Sequence, residues 1–124
     1  MPLAILMVED EPLIRMVAAD AVRDLGFLVE EAACAADVDV LVAQAPDGFA
    51  AAIVDIGLPD RPGDMVAMEL RARWPTLPII IASGHDPAAL TERFANDRHL
   101  RVIGKPYSDH ALPDALRAMG IVAG

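Results

Sequence analysis

Cysteine is nearly missing from this chain, where Cys34 stands alone. One cysteine excludes an intrachain disulfide and a thiolate metal cluster, and it makes a reducing compartment, the cytoplasm, the simpler expectation. Aromatic residues make up only 4% of the sequence, so the interior has to be built from Ala, Val, Leu, Ile and Met. No apolar run approaches the roughly 20 residues of a membrane span, so no membrane role is expected. The N-terminus has no basic leader and runs straight into "LAILMV", which reads as a strand and not as a signal peptide. Positive charge is also scarce. Ten Lys and Arg face nineteen Asp and Glu, a formal charge of −9. Phosphate backbones are bound by basic surfaces, so nucleic acid is an unsuitable partner, whereas cations and basic protein patches suit the surface. The chain has no GxGxxG and no glycine-rich phosphate cradle, and hence no visible nucleotide site.

What is present is apolar mass: 55% of 124 residues, enough for one domain over residues 1–124 with a single core. No repeat, low-complexity segment or long linker interrupts it. Short apolar runs alternate with helical patterns. Strands are predicted at Leu3–Val8, at "FLVEEA", at Phe49–Val54, at Pro78–Ala82 and at "LRVIG". The fourth is the most hydrophobic and is expected to be central.

Helices are predicted over 12–25, 35–45, 64–73, 87–94 and 108–119. The first has Pro12 in its opening turn and Gly26 as its stop. Its inward residues are expected to be Ile14, Val17, Ala18, Ala21, Val22 and Leu25. The second should face inward with Ala35, Val38, Leu41, Val42 and Ala45. In the third, Met65, Met68 and Ala72 form the expected stripe, broadened by Val66 and Leu70. Asp86 and Pro87 read as N-cap and first residue of the fourth. Pro113 either starts the fifth near Leu112 or kinks it. Five βα alternations call for an α/β fold, a doubly wound parallel sheet with helices on both faces.

In such sheets ligands bind beyond the carboxyl ends of the strands. Those ends carry Glu9, Asp10 and Glu11, then Asp55, then Ser83 and Gly84, then Lys105. Crowded carboxylates repel unless a cation compensates them, and an all-oxygen set suits a hard ion such as Mg2+ (or Mn2+). Asp55 is placed to attack a phosphoryl group and form an acyl phosphate. Lys105 would pair with it or with the phosphoryl oxygens, and Ser83 would donate a hydrogen bond.

These residues carry a resemblance. "VED" at Val8–Asp10, "VDIGLPD" around Asp55, "IIASG" ending in Ser83–Gly84, and "GKP" with Lys105 and Pro106 make the chain similar to the response-regulator receiver domains of two-component signalling, over essentially its whole length. The resemblance implies a CheY-like, flavodoxin-like strand order 2-1-3-4-5. It implies Asp55 as the phosphoacceptor for a sensor histidine kinase or phosphotransfer protein. It places Mg2+ on Glu9, Asp10, Asp55 and the backbone carbonyl of Gly57. Ser83 and Lys105 match the hydroxyl and lysine positions, and the Lys105–Pro106 bond is expected to be cis. The output face would be helix 4, strand 5 and helix 5, signalling to a protein target or a second copy of the chain.

Two positions depart from the pattern. The aromatic residue usual three positions before the lysine is Val102 here, and Tyr107 lies elsewhere, which puts the usual aromatic–hydroxyl coupling in doubt. Gly57 offers no side chain over the acceptor, so an altered phosphate lifetime is expected.

Other residues have plainer readings. His85 is expected to be a solvent-exposed loop histidine, and His99 and His110 have no metal spacing. Trp74 should anchor the end of the third helix, and Arg71 and Arg73 should form a solvated helix face. Two competing functions use the same residues: a phosphate-independent interaction module, and a metal-dependent phosphohydrolase. The second would need a further acid or base, for which His85 is the only candidate.

Overall fold

The five strands all run parallel and form one sheet of order β2-β1-β3-β4-β5, in a computed structural model that describes residues 3–106 and 110–123. The strands are β1 (Ile5–Val8), β2 (Val29–Ala32), β3 (Ala51–Asp55), β4 (Ile79–Ser83) and β5 (Leu100–Gly104). The helices are α1 (Pro12–Arg23), α2 (Ala35–Ala43), α3 (Gly63–Arg73), α4 (Pro87–Arg93) and α5 (Ala111–Ala118). The middle strand is β3. β4 is interior and fully buried, but it lies one place off the centre where its hydrophobicity had put it.

Because successive strand residues point to opposite faces, the sheet supplies two cores. Leu6, Val8, Ala52, Val54, Ile79 and Ile81 face α2 and α3. Ile5, Met7, Ala51, Ile53 and Ile80 face α1 and α5. Burying each of the larger aliphatic side chains contributes roughly 1.5–3 kcal/mol, so the three inner strands supply most of the driving force.

Two helix faces match expectation only in part: Ala18, Val22, Val66 and Leu70 are buried as expected, but other residues expected inward are not. In α1 the buried residues are Ala18, Ala19 and Val22, while Ile14, Val17 and Leu25 are exposed and Ala21 is half-buried. In α3 the buried stripe is Gly63, Val66, Ala67 and Leu70; Met65, Met68 and Ala72 face solvent. Both helices are apolar on more than one side, so the sequence pattern alone does not say which side meets the sheet.

Asp86 caps α4, its carboxylate accepting from Ala89 N–H at 3.1 Å. α4 has no fully buried residue. Pro113 lies in the first turn of α5, where a missing N–H leaves no helical bond unmade. The expected start of that helix at Ser108, like Tyr107, lies outside the described residues.

Arg71 is not on a solvated face. Its side chain is only 21% exposed. The guanidinium donates to both Asp97 carboxylate oxygens (2.9 and 3.1 Å) and to the carbonyls of Leu77 (2.6 Å), Trp74 (3.2 Å) and His99 (3.3 Å). It therefore ties the end of α3 to the entries of β4 and β5. Arg73 is exposed and lies over the Trp74 ring, and Trp74 packs edge-on against Phe49 as the anchor expected there.

Candidate functional site

The parallel register lines up the strand ends. Val8 pairs with Val54, Asp55 with Ala82 and Ser83 with Gly104, so the residues that follow β1, close β3 and β4, and follow β5 meet at one edge. Asp55 is the last residue of β3, and it is buried, 7% exposed, not open at the strand's mouth. Glu9 is deeper, at 3%. Its backbone is held on both sides: its N–H donates to Ala32 O at 3.0 Å, and its carbonyl accepts from Arg15 Nη1 at 2.8 Å.

Glu9, Asp10 and Asp55 each offer a carboxylate oxygen, and these oxygens lie within 4.8 Å of one another. Against them stands one cation. Lys105 Nζ donates to Glu9 Oε1 at 2.8 Å and to Asp55 Oδ1 at 3.2 Å. Lys105 is the only lysine in the sequence, beside nine arginines. Its own N–H continues the β5–β4 ladder to Ser83 O at 2.8 Å, which aims the side chain across the sheet's edge. The Lys105–Pro106 bond is cis, as expected.

One ammonium cannot balance three clustered carboxylates, and the titration of Glu9 reflects this. Burial pushes its carboxyl up to about 7; the Lys105 hydrogen bond opposes the rise and Asp55 adds to it. For Lys105, burial favours the neutral amine, but the hydrogen bond to Glu9 and the charge of Asp55 outweigh it and hold the ammonium above the usual lysine value.

The Glu9 shift has a definite sign. Its carboxyl binds a proton more tightly in the fold than in the unfolded chain, so the resulting stabilisation is complete below about 4.5 and is lost as pH rises through about 7. The melting temperature of the metal-free protein is therefore expected to fall as pH rises through that window. Glu9→Gln, which keeps an acceptor for Lys105 but cannot ionise, should flatten the slope. Thermal melts in chelator across that range check it, and an unchanged slope in the variant would refute the assignment.

The donor set fits a hard divalent cation: three carboxylate oxygens, no sulfur, mutual spacing short enough to share one ion, and a charge excess that an ion would relieve. Gly57, two residues past Asp55, is exposed, and a Cβ built on it would lie 3.8 Å from Asp55 Oδ2. That Asp55 oxygen is therefore left without a neighbouring side chain from position 57.

Ser83 closes β4 and is buried, with its hydroxyl already engaged: it donates to His85 O at 2.5 Å and accepts from His85 N–H at 3.2 Å. His85 itself is exposed, as expected. Val102 is half-buried against the α2/α3-side core.

Sequence reasoning missed the loop after β3. Asp60 accepts from the N–H groups of Ala35 (2.8 Å) and Ala36 (2.9 Å), and Arg61 reaches Asp39 (2.9 Å) in α2 and Glu69 (3.0 Å) in α3. Only the flanking Pro59 and Pro62, which stiffen the loop, gave any local signal.

Comparison with known proteins follows the same lines. The family model for the response regulator receiver domain matches residues 5–117. The chain is 26% identical over 115 residues to the sensor kinase CckA of Brucella abortus (strain 2308), covering 93% of this chain but only 12% of that kinase. The fold superposes on a CheY-like receiver domain protein from Methanospirillum hungatei JF-1 with a TM-score of 0.80, at 24% identity over 95% of this chain and 93% of that one. It also superposes on the receiver domain of the hybrid histidine kinase CckA with a TM-score of 0.78, at 24% identity over 94% and 97%. Five parallel strands in the order β2-β1-β3-β4-β5, an acidic cluster at their carboxyl ends, and a family match over nearly the whole chain together identify it: this chain belongs to the response regulator receiver domain family of two-component signalling.

Proposed function

We propose that the chain is a phosphoryl-accepting switch that takes phosphate onto Asp55 from a phosphohistidine of a sensor kinase or phosphotransfer protein. The observation that carries this reading is the buried Asp55 carboxylate beside Glu9 and Asp10, with Lys105 Nζ at 3.2 Å. One Asp55 oxygen attacks phosphorus, a P–O bond forms, and the P–N bond to the imidazole breaks with its electron pair leaving on nitrogen. Glu9, Asp10, Asp55 and the Gly57 carbonyl would hold Mg2+. When bound, the ion supplies charge that offsets repulsion between phosphoryl oxygens and the carboxylates.

The protein's own groups do the rest. Lys105 turns from Glu9 and Asp55 toward the new dianion as a mobile point charge. Ser83 releases the His85 carbonyl to donate to a phosphoryl oxygen, which frees the loop leading into α4. In that loop Asp86 holds a left-handed conformation (φ 49°) immediately before Pro87, a backbone that neighbouring contacts have to sustain. The output face is α4, β5 and α5, where a groove of about 320 Å3 is lined by Thr91, Phe94, Leu100, Val102 and Ala115 among others. A protein target or a second copy of the chain is the partner there. A switch of this kind needs about 5.5 kcal/mol of differential stabilisation to invert a 1:99 population, which new charge-assisted bonds to the dianion supply in large part.

The retained acidic cluster and its lysine favour this reading over a phosphate-independent interaction module. Acetyl phosphate with Mg2+ should add one phosphoryl mass to the intact protein, dependent on the metal and missing in Asp55→Asn. If neither acetyl phosphate nor a phosphorylated kinase yields the adduct, the proposal falls and the interaction module takes its place.

A further inference from the structure

We propose that Asp60 is a positioning residue that locks the loop after β3 to α2, so that the position of the Gly57 carbonyl, and with it divalent-cation affinity, depends on the first turn of α2. This rests on the reading of Glu9, Asp10, Asp55 and Gly57 as the metal site.

The loop 56–62 leaves the sheet at Asp55 and returns at α3. Its base is closed by two bonds: Ile56 N–H donates to Ala82 O at 3.0 Å, and Gly63 N–H donates to Ile56 O at 2.9 Å. Between those points, the hydrogen bonds of residues 57–61 among the described residues all run through Asp60 and Arg61.

The helix needs this partner as much as the loop does. The N-cap residue of α2 is Cys34, and it makes no side-chain cap bond. A helix start leaves its first N–H groups without intrahelical acceptors and favours a negative charge beside them. Asp60 supplies both from 25 residues downstream, one carboxylate oxygen to each of Ala35 and Ala36. These two amide bonds hold its carboxyl below the usual aspartate value. Arg61 adds a second tie, gripping Asp39 one turn further along α2 and Glu69 on α3. The segment that carries Gly57 is thereby stretched between a fixed base at Ile56 and a clamp at Asp60, with Pro59 limiting the backbone between them.

Removing Asp60 leaves Gly57 on a loop held at its base and by the Arg61 side chain alone, and the carbonyl it presents becomes one orientation among several. Groups that orient metal ligands without touching the metal typically change affinity by about 10- to 100-fold. Coupling is reciprocal, so cation binding must tighten the clamp by the same factor by which the clamp tightens binding.

The test uses the full chain and Mg2+ alone, titrated into isotopically labelled protein and followed by amide chemical shifts and amide hydrogen exchange. Asp60→Ala is expected to weaken Mg2+ about tenfold. Asp60→Asn, which keeps one acceptor oxygen, should recover part of that loss. In the wild type, Mg2+ should raise the exchange protection of the Ala35 and Ala36 amides by a comparable factor, and in Asp60→Ala it should not. Arg71→Ala is the control for stability alone, since Arg71 lies at the opposite end of the strands; its Mg2+ affinity should match the wild type. If Asp60→Ala lowers the melting temperature but keeps Mg2+ affinity within about twofold, Asp60 is only a helix cap and the proposal is overturned. If the wild type binds no Mg2+, the metal-site reading fails and this proposal fails with it, a result recognisable because Asp60→Ala and wild type would then be alike.

Discussion

Gly63→Ala is expected to cost the protein about 3 kcal/mol or more and to abolish phosphoryl acceptance. Gly63 opens α3 directly against the end of β3. A Cβ built there lies 2.0 Å from the Asp55 carbonyl oxygen and 2.7 Å from the Asp55 carbonyl carbon and the Ile56 Cα. All three are backbone atoms, so no side chain can swing aside. Either α3 lifts off the sheet, exposing Val66, Ala67 and Leu70, or Asp55 and Ile56 are displaced and the acidic cluster loses its register with Glu9.

The measurement is a thermal melt together with acetyl phosphate labelling below the transition. A fall of about 10 °C and loss of the adduct are expected. The control is Gly57→Ala on the same loop, where the added Cβ meets Asp55 Oδ2 at an ordinary 3.8 Å in an exposed position. That variant should fold normally and accept phosphate, with an altered decay rate. A Gly63→Ala protein as stable as wild type and still labelled would show that the helix start yields more easily than close packing implies.

Arg71→Ala should be the second large loss, of similar size, but with the opposite functional outcome. The guanidinium satisfies five acceptors, two on Asp97 and three backbone carbonyls, in a half-buried setting. Truncation leaves the Asp97 carboxylate without its charged partner and the Leu77 carbonyl without this donor, while the carbonyls of Trp74 and His99 keep the N–H groups of Leu77 and Ile79. Unsatisfied groups of this kind cost about 1–3 kcal/mol each when buried, and losing one member of a buried ion pair about 3–5. Partial exposure reduces both figures, and about 3 kcal/mol, or about 10 °C in melting temperature, is the expected sum.

Lysine is a poor substitute, because a single ammonium cannot reach acceptors arranged on three sides of a planar fork. Acceptance of phosphate below the melting transition should survive, since Arg71 serves the amino ends of β4 and β5 and the acidic cluster lies at the carboxyl ends of the strands. A melting temperature unchanged by Arg71→Ala would mean that water replaces the guanidinium at these carbonyls.

Both predictions concern residues whose roles were invisible or misjudged in the linear sequence, and the reasons differ. Gly63 stands just before the helix predicted over 64–73, and nothing in the sequence shows how closely that helix start meets the strand. Arg71 stands beside Arg73 in a run of helix residues, and nothing local separates the one that reaches Asp97 and the β-strand entries from the one that lies on Trp74 in solvent. The α1 and α3 faces were only partly legible for another cause: Ala18, Val22, Val66 and Leu70 are buried as expected, while the other residues expected inward are not. Both helices carry large apolar residues on the side that ended exposed, such as Val17 and Met68, so their hydrophobic pattern did not distinguish the buried face. The cap that Asp60 gives α2 spans 25 residues of sequence, beyond the reach of any capping pattern.

By itself the sequence determined the strand and helix order and the parallel sheet, and it put the acidic residues and the lysine at one edge of that sheet. A strand buried on both faces is a short apolar run that ends abruptly, and the polar residue after that run is the strand's carboxyl end. Glu9, Asp10, Asp55, Ser83 and Lys105 could be gathered on that ground alone. Only the tertiary structure decided what these groups do to one another. Two carboxylates sharing one ammonium with a third beside them, a Glu9 proton held to about pH 7, and a loop clamped to α2 all rest on distances between residues far apart in the chain, and the Ser83 hydroxyl is engaged by the local turn to His85. Electrostatic and hydrogen-bond energies depend on those distances and on burial, which the order of residues does not contain.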